Sequence, residues 1–392
     1  QFMLTTDSDV LSPLTAKINS LASYNFNFNS NPISLGTTIS WLDNAGKYTR
    51  LFEMAAVLRE GEPDIFEQSK IISKKFPKGI TIVANSRENS VIFFAEKGQS
   101  TIYGFRYHTQ GEKRVQQAWF TWTLGGAIQY LCMFDDSLYA VIRNGSNDVI
   151  HRFSIKLADD TPSVIDDLGT ASTGDDITYR IHLDNAKEFD YTALTYDASN
   201  NWTKFTLGDG FNQTGQLAIF ARSTSTDKEF NGQYKTVTTF NDSGTIKVKI
   251  PGDFTTSTSA KAFKIVLGYL YDMELVFPTI YVKQQTGENF RADTQSTLIL
   301  HRFKLNLGAS GVYEATLKRV GKQDYTELFE STLAGAYYAN RVGIEEEQIR
   351  TIPIYEKNDN VKFTLKSTHP SPATLYSMVW EGDYTNKYYR RV

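Results

Sequence analysis

The chain has 392 residues, of which 41 are basic and 44 acidic, for a formal net charge of −3. That length is too great for one ordinary domain, and the near-neutral balance speaks against a protein held to nucleic acid by its overall field. The single cysteine, Cys132, excludes an internal disulfide framework and any cysteine-based zinc site, and no apolar run approaches the roughly 20 residues that a membrane-spanning helix needs.

Aromatic residues make up 13% of the chain, and with abundant Thr, Ser and Asn they are the composition of half-buried strands between polar turns. The opening Gln1-Phe2-Met3-Leu4 reads like the middle of a strand, which suggests a piece of a longer polypeptide. Short extended runs follow at residues 15–20, 33–41 and 49–55, with Asp43-Asn44-Ala45-Gly46 as a turn. The one helix expected covers Asp64–Lys75: Pro63 suits a first turn, Asp64 and Glu67 suit the positive end, and Ile65, Phe66, Ile72 and Phe76 can share a face before Pro77 and Gly79.

From Ile80 to Leu157 seven runs at short spacing, parted by turns such as Arg143-Asn144-Gly145, predict antiparallel strands of a sandwich, a barrel or propeller blades. Residues 158–176 carry three acidic pairs, Asp159-Asp160, Asp166-Asp167 and Asp175-Asp176, among Thr, Ser, Pro and Gly, and read as an acidic linker at a domain boundary. Residues 177–262 are polar, with alternation such as Thr245-Ile246-Lys247-Val248-Lys249-Ile250. Apolar content rises again from Ala262, with strands expected at 263–271, 273–283, 296–307, 312–320, 361–366 and 374–380. The fold expected is all-β. Residues 1–157 would form propeller-like blades with one short helix, 158–262 an inserted β module, and 263–392 a C-terminal β domain returning to the core.

The search for chemistry singles out no catalytic, cofactor-binding or metal-ligating residue. His108, His151, His182, His301 and His369 have no histidine neighbour at ligand spacing, the Asp pairs lack a calcium-loop pattern, and no nucleophile elbow or phosphate loop occurs. Two tripeptides match, His151-Arg152-Phe153 and His301-Arg302-Phe303, either as equivalent strand positions in related modules or, the reading preferred, by chance at this composition. Asn144, Asn201, Asn212 and Asn241 open Asn-x-Ser/Thr triplets and are read as turn residues rather than glycan acceptors. Trp119-Phe120-Thr121-Trp122 would be covered on both faces of a strand. Core packing is the plainer account of it and a sugar-stacking platform the sharper one.

Several segments carry a family resemblance: Leu42–Met54 with Arg59–Ile72, then Ser86–Leu124, then Gly268–Val282 with Ser296–Gly321 and Met378–Tyr384. Together they resemble the tail tubular protein B, or nozzle, family of short-tailed podophages, in its C-terminal half. The resemblance implies a structural virion protein and not an enzyme, without cofactors. It implies a homohexameric ring at the distal end of the phage tail tube, below an adaptor ring, touching tail fibres or other tail proteins. Double-stranded DNA would pass through its gated channel without sequence-specific binding during ejection into the host. A β-propeller core with added β domains is implied as well, incomplete in this chain. The net negative charge agrees with walls that do not clamp a sliding duplex, and Arg390-Arg391 could dock on a partner. The alternative is a polysaccharide depolymerase or sugar-binding tail protein, which would need converging carboxylates in a groove lined by Trp or Tyr.

Overall fold

The computed structural model describes residues 2–6, 12–20, 23–44, 46–55, 64–110, 113–156, 162–166, 177–208, 210–211, 215–223, 231–255, 263–286, 289–330 and 343–386. Among the described residues are thirty-two β-strands, three short 3-10 helices and no α-helix. Every strand pairing is antiparallel. The chain divides into two compact units, Gln1–Asp159 and Asp160–Val392.

Among its described residues unit 1 holds a two-stranded sheet, Phe2–Thr6 with Ala16–Ser20, and three larger up-and-down sheets in chain order. Of these three, the first holds Ile33–Ser34, Thr38–Asp43, Arg50–Ala55 and Ile65–Glu67; the second Ile80–Ser86, Val91–Glu96, Thr101–Gln110 and Lys113–Thr123; the third Ala127–Phe134, Ser137–Asn144 and Asn147–Ser154. They stack face to face, as propeller blades do. Ile92, Phe94, Phe105 and Tyr107 of the second sheet meet Ile33, Leu42 and Leu51 of the first around Phe76. Val91, Phe93, Ala95 and Ile102 face the other way, onto Ile128, Leu131, Leu138, Ala140 and Ile142 of the third. A strand with both faces covered loses its alternation, which is why Val91-Ile92-Phe93-Phe94-Ala95 is apolar throughout. A register shift between Ile80 and Ile82 turns those two residues to different cores.

The expected helix over Asp64–Lys75 is not formed. Ile65–Glu67 is an edge strand on Arg50–Ala55, and Gln68–Ile72 makes a five-residue 3-10 helix. Two polar residues point inward and decide this. Gln68 Nε2 donates to the buried Glu53 at 2.8 Å, and Ser69 Oγ accepts from the Leu51 backbone N–H at 2.9 Å. A buried carboxylate needs such donors, and their demand outweighs an apolar face that leaves Phe66 and Ile71 exposed.

Unit 2 contains two sandwiches. In one, the sheet Asp184–Asp190, Phe263–Tyr269, Leu217–Ser223, Tyr234–Thr236 packs on Thr195–Asp197, Trp202–Thr206, Thr245–Pro251, Thr238–Asp242. Phe205, Ile219, Val248, Ile250, Ile265 and Leu267 lie between them. The outer face of the first sheet is covered too, with Ala218, Phe220 and Val266 against Val164, Tyr179, Ile181 and Ile344. The expected boundary at residue 262 therefore moves. Phe263–Tyr269, expected to open the C-terminal domain, is a central strand of this sandwich, and its apolar run reflects burial on both faces.

The second sandwich packs Met273–Val276, Val361–Ser367, Tyr313–Arg319, Tyr325–Phe329 against Gln348–Lys357, Thr297–Ser310, Ala373–Thr385 around Phe303, Leu305, Tyr313, Leu317 and Phe363. Gln348–Lys357, which contains Pro353 and does not read as a strand, lies at a sheet edge, where proline is tolerated.

Candidate functional site

Trp119-Phe120-Thr121-Trp122 lies on Lys113–Thr123, and its aromatic rings face two cores. Trp119 packs with Phe76, Phe94 and Phe105 at centroid distances of 5.4, 5.9 and 4.7 Å. Trp122 packs with Phe93 at 5.4 Å and Phe153 at 5.8 Å. Both are half-buried anchors between sheets, as is Trp380 against the second sandwich core. Phe120 lies across the ladder from Gly104, where an added Cβ would come within 2.1 Å of the ring. Glycine there is what lets the phenyl ring lie over the neighbouring strand.

The five histidines stay separate. His108 is exposed, His151 stacks on Phe153, and His301 Nε2 lies 3.2 Å from Asp383. Burial lowers His182 and pushes His369 down to about 4. Among the described residues no group of three or more His, Cys, Asp or Glu could hold a metal ion. The two His-Arg-Phe tripeptides occupy unlike positions, one on a sheet edge and one at a bulge of a central strand. Asp166 ends a strand, whereas Asp159, Asp160, Asp167, Asp175 and Asp176 lie outside the described residues, as do Asn212, Arg390 and Arg391. Asn241 accepts from the Gly244 N–H at 2.8 Å, and Asn201 has a φ of 52°, both turn roles.

A cleft of about 650 Å³ in unit 1 is lined by Glu88, Asn89, Arg106, His108, Gln116 and Lys156 among others. Asp136 stands nearby, accepting from Asn89 Nδ2 at 2.9 Å and Lys156 Nζ at 2.9 Å. The Asn89 hydrogen bond first, then that of Lys156, hold its carboxyl below the usual range. A glycosidase pair needs one carboxyl raised enough to carry a proton, and the environment of Asp136 does the opposite.

Elsewhere in unit 1 the outer face of the third sheet carries large apolar side chains that are exposed among the described residues. Tyr130 and Phe134 are exposed on one strand and Ile150 on another, with Cys132 also exposed on that sheet. The first sandwich of unit 2 turns a face of lysines and aromatic rings outward, with Lys249 Nζ 3.9 Å from the Trp202 ring centroid. The alternation Thr245–Ile250 hints at that face, but which rings and charges meet depends on strand pairing.

Stacked antiparallel sheets with aromatic rings packed between them define an all-β protein. The model of the bacteriophage nozzle protein family matches residues 1–391, and the chain belongs to that family. It is a structural component of the phage tail, carried in the virion and associated with other tail proteins. No curated protein matches the chain. Among solved structures it is similar to an exo-β-1,3-galactanase of Phanerochaete chrysosporium with galactose, at 10% identity and a TM-score of 0.21. The same enzyme with β-1,3-galactotriose matches at 12% identity and a TM-score of 0.21. Each match covers 97% of this chain and 100% of the other. Likeness at that level carries no argument about activity.

Proposed function

We propose that the chain builds a homohexameric ring at the distal end of the tail tube, through which double-stranded DNA leaves the particle, and that it catalyses no chemical step. The observation that carries this reading is the family match along the whole chain. The architecture is consistent with it: stacked sheets and two sandwiches offer broad walls, and the carboxyl of Asp136 beside the cleft of unit 1 is held down rather than raised. On this reading unit 1 supplies propeller-like blades, with the adaptor ring and tail fibres as partners. The sandwich completed by Phe263–Tyr269 is the inserted module at the channel tip. DNA contact is weak and independent of sequence, in keeping with a net charge of −3. Among the described residues no helix is long and apolar enough to cross a membrane.

Imaging of tail particles and native mass measurement of the purified chain test this together. Six-fold rings with a central channel at the distal tail are expected. Particles showing this chain elsewhere, or as a monomer in the assembled tail, would defeat the reading. Release of reducing ends from host polysaccharide, abolished by one carboxylate replacement, would overturn the non-enzymatic part alone.

A further inference from the structure

Beyond the edge strand Ile65–Glu67 the chain carries a run of lysines. From Gln68 to Ile80 it holds Lys70, Lys74, Lys75 and Lys78 and no acidic residue. Gln68 and Ser69 turn inward, to Glu53 and to the Leu51 backbone, and the residues after them turn out. All four lysines are exposed, and none has a carboxylate partner among the described residues. Glu96 lies over Gly79, and Glu67 accepts from Ser69 Oγ at 3.2 Å, yet neither pairs with one of these ammoniums. Within the run Ile71 is 72% exposed, and Phe66 just before it 41%. Apolar side chains ringed by charge suit a protein partner. A phosphate backbone would meet the ammoniums but leave Ile71 and Phe66 in water. The same chain carries the opposite pattern: residues 158–176 hold six aspartates and no basic residue. Within them Ser163–Asp166 is a strand with Val164 buried in the core and Ile165 turned out, 43% exposed, beside Asp166 and Asp167 in sequence.

We propose that residues 68–78 of one copy of this chain dock residues 158–176 of a second copy, with Ile71 against Ile165 and the lysines against the aspartates, a contact that rests on reading the chain as a ring of copies. The complementarity is one of sign and of pattern, since each segment sets an exposed isoleucine among charges that the other segment neutralises. It also fixes order. Two lysine runs repel, as do two aspartate runs, so the copies meet head to tail and not face to face. A head-to-tail contact between unlike patches is the kind that closes into a ring. Exposed ion pairs are individually weak and screened by salt, so the docking is strongest at low ionic strength and where several copies act together.

The test uses the full chain, mixed from unlabelled and isotope-labelled preparations. A carbodiimide joins a lysine to a carboxylate where the two touch, and mass spectrometry of the digest shows whether the joined peptides come from one copy or two. Links between the lysines of 68–78 and the aspartates of 158–176 that carry both isotopes are expected at about 50 mM salt and should be largely lost at about 500 mM. In sedimentation velocity, Lys74→Glu with Lys75→Glu should weaken self-association about tenfold with an unchanged circular dichroism spectrum. Adding Asp166→Lys and Asp167→Lys should restore it. Adding Glu346→Lys and Glu347→Lys instead, which returns the same net charge at exposed positions elsewhere, should not. No links, links confined to one isotope, or equal restoration by both pairs would each overturn the docking. Six-fold rings without mixed links would overturn it and leave the ring standing, whereas mixed links in copies that form no ring would defeat the ring and support the docking.

Discussion

His369 lies where the two sandwiches of unit 2 meet. Its ring centroid is 4.5 Å from that of Tyr234, its Nδ1 accepts from the Ser371 N–H at 3.1 Å and lies 2.8 Å from the Ser371 hydroxyl. The backbone N–H of His182 donates to Pro370 O at 2.7 Å beside it. An Nδ1 already accepting cannot take a proton without losing that donor, and burial drives the ring down to about 4. The unfolded chain, with an ordinary histidine, binds the proton first, so the neutral ring stabilises the folded state fully above about pH 6.5. That contribution falls away as the pH drops toward 4. Allowing for the part of the residue still in contact with water, about 2 kcal/mol is expected to be lost across this window. Melting temperatures between pH 7 and 4 should fall less steeply in His369→Asn than in the unsubstituted chain. Equal slopes would show that the site does not titrate as argued. The spacing of histidines in the sequence shows none of this, because the desolvating rings come from Phe220 and Tyr234, about 140 residues away.

Among the elements, Val91–Glu96 best shows how the stacked sheets hold together. Phe93 and Phe94 are adjacent and almost wholly buried, yet belong to different cores, Phe93 toward the third sheet and Phe94 toward the first. In a sheet with one wet face, only one of two neighbours would be costly to truncate. Here both Phe93→Ala and Phe94→Ala should cost about 3–5 kcal/mol, read from urea unfolding followed by tryptophan fluorescence. A cost below about 1 kcal/mol for either would mean that its sheet-to-sheet contact is not formed. The same reasoning explains the misread helix. The positions of Ile65, Phe66 and Ile72 satisfy a helical stripe, but the requirement of Glu53 for donors from Gln68 and Thr38 is a tertiary fact.

At the scale of the whole molecule, each unit has its own buried clusters and its sheets close within it. Residues 160–392 produced alone should therefore fold, with a β-type circular dichroism spectrum and a cooperative melt. A product that is insoluble or lacks a melting transition would show that the second unit depends on the first.

Strand content and the family were legible in the sequence. These depend on local pattern: alternation, turn residues and linear motifs carry their meaning within a few positions. The partner of each strand was not legible. Whether Phe263–Tyr269 closes one sandwich or opens the next and whether Gln68 faces a carboxylate or water depend on residues about 15 to 50 positions apart. Only the tertiary structure decides these, because the energy of burying a face or a charge depends on what covers it and not on the sequence beside it.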